Sequence, residues 1–190
     1  MTDQNTHIKN YEDVTVYGLD PAEEDLLVSL QNECTFGWIT KDGSPMSLIM
    51  SYLRTDDGAF WLTASDQRKR VDAIRKDPRV TITITSAGIP QGSGFTVSYK
   101  GIATVHDDEE TKAWFCPAMG RRLTGCDGSV KTVLDSGDGE AAAIEFANML
   151  NSPRRAVISV APGARISYDG RKLKQATDDA RAAGNLVWEA

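Results

Sequence analysis

The sequence predicts an α+β protein, mainly β with helices. Short runs rich in Val, Ile, Thr and aromatic residues recur along it, and in Val80–Thr85 Val or Ile alternates with Thr at period two. Turn signals such as Asp42-Gly43, Thr55-Asp56-Asp57-Gly58 and Pro162-Gly163 stand between such runs. Segments with helical spacing are few and short. A chain of 190 residues suits one well-cored domain.

Bulk properties narrow the function. A net charge of −6 argues against a general nucleic-acid binder, whose affinity rests on neutralising phosphates. No apolar run approaches about 18 residues, and Met1–Asn10 carry no signal-peptide core, so no membrane contact and a cytoplasmic location are expected. Three widely spaced cysteines make no disulfide framework.

In chain order, residues 1–19 are expected to form a flexible arm, with Val14–Tyr17 available as a short edge strand. Asp20-Pro21-Ala22-Glu23 opens a helix with a cap, a first-turn proline and an acid. Leu26, Leu27 and Leu30 form its apolar face, and it ends near Asn32. Strands follow at Thr35–Thr40 and Pro45–Leu53, then at Ala59–Thr63; three successive antiparallel strands predict a β-meander closing toward a barrel. Ser86–Gly94 reads as a plain hairpin loop rather than a phosphate loop, since no helix follows it. Phe95–His106 is a long strand in which Gly101 marks a bulge or a close backbone approach. Asp107–Glu110 opens a helix through about Met119, with acids at its positive end.

Gly120–Gly139 reads as irregular, and its acidic end, Asp135–Glu140, lacks calcium-loop spacing. A second amphipathic helix spans Glu140–Leu150, offering Ile144, Phe146, Ala147 and Leu150 for packing. Ala156–Val160 and Ala164–Tyr168 read as two strands. Residues 175–190 form a polar tail with room for a short helix, and 20–174 a single domain.

Between the strands at 59–63 and 80–85 lies the most unusual stretch. Val71 and Ile74 give a helix of roughly ten residues one apolar edge. Asp77-Pro78 ends it, because the residue before a proline is pushed out of the α region. With Ser65 or Asp66 as N-cap, Arg68, Lys69 and Arg70 fall in or beside the first turn, where cations oppose the helix dipole by about 0.3–1 kcal/mol each. Two readings stand: a solvated basic turn, and a phosphate seat made of free N–H groups and three cations.

Leu62-Thr63, Arg68-Lys69-Arg70 and Asp77-Pro78-Arg79-Val80 together resemble the FMN-phosphate region of the pyridoxamine 5′-phosphate oxidase-like, split β-barrel flavoprotein superfamily. That superfamily also includes proteins that bind the deazaflavin F420. The resemblance runs from about Cys34 to Asp107 and again from Arg154 to Lys174, where Ser167–Lys172 is similar to the end of the barrel in relatives. It implies a split antiparallel β-barrel, Greek-key-like, flanked by short helices. It places Ser47, Leu48, Ile49 and Met50 along the flavin ring and ribityl chain, and Leu62 and Thr63 at the phosphate or ring edge. Arg68, Lys69 and Arg70 would hold the phosphate, and Thr96 falls near the ring. The cofactor would lie between the protomers of a homodimer.

Two departures bear on activity. Vitamin B6 oxidases of the superfamily carry arginine where Ser47 stands, and a Trp/Arg-bearing C-terminal segment; here no arginine follows Trp188. A true pyridoxamine phosphate oxidase is therefore not expected, and the phosphate loses one charge-assisted contact of about 1.5–3 kcal/mol.

Little else in the sequence offers chemistry. Its two histidines are His7 in the arm and His106 at a strand end, next to Asp107 as an acid–base candidate and the sole candidate for a haem ligand. No nucleophile elbow and no zinc cluster are present. Cys116 and Cys126 read as buried or loop thiols. The expectation is an FMN-dependent oxidoreductase acting on a small organic molecule, no catalytic side chain being assigned; F420 dependence and a non-catalytic flavin carrier are the alternatives.

Overall fold

The computed structural model describes residues 17–90, 94–130 and 139–184. The arm with His7 and Val14, the acidic run at 135–138 and the last six residues with Trp188 lie outside the described residues.

Among the described residues five helices and seven strands follow one another: α1 (Pro21–Leu30), β1 (Glu33–Ile39), β2 (Pro45–Ser51), β3 (Leu53–Arg54), β4 (Phe60–Ser65), α2 (Lys69–Lys76), β5 (Arg79–Thr85), β6 (Phe95–His106), α3 (Glu109–Thr124), α4 (Glu140–Leu150), β7 (Arg155–Asp169) and α5 (Gly170–Ala182). The strands make one antiparallel sheet in the order β2-β1-β5-β6-β7-β4-β3. Its edge strands, β2 and β3, are separated in sequence by Tyr52 alone, so the sheet must curl until its edges meet there. The result is the split barrel expected of this sequence.

Period-two alternation sorts the side chains. Phe36, Phe60, Leu62, Ile82, Val97 and Ile158 are fully buried inside the curl. Full burial of a side chain of this size stabilises by about 1.5–3 kcal/mol. The opposite face of β4 and β7 is covered by α3 and α4, where Phe115, Met119 and Leu150 pack on Val157.

Several expectations change. The meander does not form: β4 pairs with β7 and not with β2, because β2 is held by β1 and the chain crosses the split at Tyr52. The two late strands are one, β7, which pairs with β6 on both sides of an irregularity between Tyr99 and Gly101. The irregularity falls opposite the Pro162-Gly163 pair. A Cβ on Gly101 would lie 2.4 Å from Val160 Cγ1, so both readings of that glycine hold. The helix expected to stop at Met119 continues as α3 to Thr124, with Gly120 facing α4.

On α1, Leu26 is exposed while Glu24 is buried, drawn inward by the Tyr99 hydroxyl at 2.7 Å and Arg165 at 2.5 Å. On α4, Ile144 is exposed, and Ala142, Ala143, Ala147 and Leu150 form the buried face. The short helix near the tail, α5, starts at Gly170 and is capped by Asp169.

Candidate functional site

Two free edges flank the split. β2 is terminal in the sheet, so one side of the Ser47–Met50 backbone has no strand partner. Across the split, β3 pairs with β4 only at Phe60 and Trp61, which leaves the same side of Leu62 and Thr63 without a strand. β2 and β4 approach each other here. Unpaired backbone N–H and C=O groups of this kind are obligatory hydrogen-bonding groups awaiting a partner.

Side chains along these edges divide. Ser47 and Ile49 project from the open outer face, with Ile49 59% exposed. Met50 and Leu62 point into the core, and Leu48 is half-buried against it. Leu62 and Met50 therefore offer a ligand only their backbones. Thr63 is half-buried, and its Oγ1 donates to the Ala156 carbonyl at 2.8 Å.

The chain leaves β4 through a turn in which the Arg68 amide donates to Ser65 O at 3.0 Å and the Asp66 amide to Arg154 O at 2.9 Å. This turn delays α2, so its N-cap is Arg68 rather than Ser65 or Asp66, and no side chain caps it. Lys69 and Arg70 occupy the first turn. Among the described residues, Arg68, Lys69 and Arg70 make no ion pair and no side-chain hydrogen bond, whereas Arg54, Arg75, Arg79, Arg121, Arg122, Arg165 and Arg171 are all paired with carboxylates. Arg70 Nε is buried without a partner. Burial, and then the charge of Arg68, hold the Arg70 guanidinium below its ordinary value. A phosphate would relieve both effects while meeting an uncapped helix start. The residues present thus fit the anionic end of a nucleotide-like cofactor.

Thr96 is not brought to this cluster within one chain. It pairs with Tyr168 near the far end of β7, whereas Ser65, from which the chain turns into the cluster, pairs with Arg155 at the start of that strand.

A trough of about 610 Å³ lies on the open sheet face, with Ser47, Gly37, Thr81 and Lys100 among its lining residues. Of these, only Ser47 is a site residue expected from the sequence. Gly37 inside a strand and Lys100 beside Gly101 are the signals that could have pointed to the rest.

His106 is engaged elsewhere: Nε2 is 2.8 Å from Ser159 Oγ, and its ring lies 5.2 Å from that of Trp61. Asp107 binds Arg75 at 2.7 Å rather than His106. No cluster of three or more His, Cys, Asp or Glu suited to a metal occurs among the described residues. No helix there is long and apolar enough to cross a membrane.

A seven-stranded split barrel with a basic helix start at its open edge defines a class of protein. The family model described as pyridoxamine 5′-phosphate oxidase matches residues 21–162, and the chain belongs to that family. Solved structures show the same fold at low identity. The conserved hypothetical protein Rv2991 from Mycobacterium tuberculosis superposes with a TM-score of 0.64 at 22% identity, over 82% of this chain and 88% of that one. A FAD-binding protein from Mesorhizobium loti gives 0.53 at 15% identity, over 78% and 94%. HutZ, the heme storage protein from Vibrio cholerae, gives 0.54 at 10% identity, over 77% and 94%. No curated protein matches in sequence.

Proposed function

We propose that the protein is a homodimeric oxidoreductase that binds FMN, or alternatively F420, at the split and acts on a small organic molecule. The observation that carries this reading is the unpaired Arg68-Lys69-Arg70 cluster with its buried, partnerless Arg70 Nε. In this reading the three cations and the amides of the first α2 turn hold the cofactor's phosphate. The free edges at Ser47–Met50 and Leu62-Thr63 align the rest of the molecule, and Thr63 borders it. The cofactor, when bound, supplies the hydride-transfer chemistry. Family membership supports a flavin, as does the likeness to the FAD-binding protein of Mesorhizobium loti.

The homodimer rests on the outer face left open by α3 and α4, where Ile49, Ile102 and Ile166 are 59%, 54% and 64% exposed. In this reading the partner covers that face, closing over the trough that lies on it, and contributes its own Thr96. A carrier without turnover is the second reading, favoured by the engagement of His106 with Ser159, away from the split edges.

Absorption and fluorescence spectra of the purified protein, with mass analysis of any released small molecule, test the cofactor. The double variant Arg68→Ala/Lys69→Ala is expected to lose it. Unchanged affinity in that variant would remove the site. Bound cofactor without reductase activity toward NAD(P)H or reduced F420 would select the carrier.

A further inference from the structure

The trough on the open face has a construction of its own. Its floor is a single row of cross-strand partners over four strands, Ser47, Gly37, Thr81 and Lys100. Gly37 carries no side chain, and the Thr81 hydroxyl leans over it, 2.4 Å from where a Cβ would stand. The next row brings Ile39, Pro45 and Ile102 to the trough, with Arg79 as the cross-strand partner of Ile102 among them. At the end of that row stands Lys100, which has no ion pair and no side-chain hydrogen bond among the described residues. Arg79 at the rim is already held by Asp77, at 2.8 Å through Nε and 2.6 Å through Nη2.

In a chain of net charge −6, an exposed lysine without a carboxylate beside a partly apolar hollow is free to pair with an anionic ligand. The volume of about 610 Å³ falls within the range of small-molecule sites.

We infer that this trough is the seat of the substrate, and that it takes a flat apolar molecule carrying one anionic group that pairs with Lys100. The floor receives the ring face, Ile102 and Pro45 cover its edge, and the anion lies at the bulge. Ser47 belongs both to the trough and to the β2 run assigned to the cofactor, so calling the occupant a substrate rests on the proposed function. Its binding here does not. The basic turn and Arg79 stand at opposite ends of α2, whose eight residues span about 12 Å. The trough is thus a second anion subsite, a helix length from the phosphate seat.

The test uses 8-anilinonaphthalene-1-sulfonate, an aromatic anion, titrated by fluorescence into the purified full chain with and without saturating FMN. Lys100→Glu is expected to weaken the probe about tenfold or more, the loss of one charge-assisted contact, with FMN affinity unchanged within about twofold. Lys174→Glu, the same charge reversal on α5, is expected to leave probe affinity unchanged. Equal probe affinity in the wild type and Lys100→Glu, or equal weakening by Lys174→Glu, would overturn the subsite. Complete displacement of the probe by FMN would assign the trough to the cofactor and overturn the substrate seat. Undiminished FMN binding by Arg68→Ala/Lys69→Ala would remove the phosphate seat alone, leaving the Lys100 result standing.

Discussion

Arg122 Nη2 donates to the Gln31 carbonyl at 2.5 Å, so a side chain of α3 closes the carboxyl end of α1, 91 positions away. Nη1 adds the Ser29 carbonyl at 2.6 Å, and the guanidinium lies 5.5 Å from the centre of the Tyr52 ring. The Tyr52 hydroxyl donates to Val28 O at 2.8 Å. One buried cation therefore ties together two helices and the residue at which the sheet closes.

Arg122→Met is expected to lower stability by about 2–4 kcal/mol, since it strands buried carbonyls that Arg122 satisfies. Arg122→Lys should recover only part, because an ammonium cannot reproduce the planar fork. Urea denaturation of the three proteins checks this.

Arg70 is predicted to behave in the opposite way. Arg70→Met removes a buried donor without a partner and the repulsion from Arg68. The melting temperature of the cofactor-free protein should hold or rise, while FMN affinity falls about tenfold or more. Melting curves with and without FMN measure both; a fall of more than about 3 °C without cofactor would show a structural partner instead.

Acid stability has a local source at the entry to β5. Hydrogen bonds from the Arg79 side chain hold the Asp77 carboxyl down at about 2, against an ordinary 3.8. A depressed folded-state value contributes stability above the ordinary pKa and loses it as pH falls through the folded one. Asp77→Asn should therefore be less stable than the wild type above about pH 4, the two converging toward about pH 2. Unfolding measured across that range decides it.

The three thiols should separate by burial. Burial, and then the charge of Glu33, push the Cys34 thiol up to about 12. Burial also raises Cys116, whereas Cys126 is only half-buried. Titration with a colorimetric disulfide reagent should find one reactive thiol in the native protein, absent in Cys126→Ser, and the other two only in denaturant.

Gly120→Ala is expected to cost about 1–3 kcal/mol, because a Cβ there would stand 2.3 Å from Ala143 O on α4. Urea denaturation reports the loss. A smaller effect would mean that α3 and α4 separate easily.

Gly120 also marks a limit of local sequence signals. A glycine after a helical run reads locally as a terminator, yet here it admits a second helix. Leu26 and Glu24 exchange their expected places because Tyr99 and Arg165 supply partners that no local pattern reveals. In the site, the basic turn was legible because Arg68, Lys69 and Arg70 are contiguous. The trough was not, since its floor gathers residues 37, 47, 81 and 100 from four strands.

The sequence by itself determined the elements. Asp42-Gly43, the Val/Ile–Thr alternation of β5, the proline start of α1 and the Asp77-Pro78 stop act through backbone sterics and side-chain period within a few residues. The tertiary structure alone decided which strands pair, since β4 meets β7 far along the chain, Thr63 opposite Val157 and Ala64 opposite Ala156. It also joined β7 into one strand, moved the α2 cap to Arg68, and left three cations without carboxylates among the described residues. Those outcomes depend on which buried faces meet when the sheet closes at Tyr52, and a single strand's residues do not encode the surface it will find.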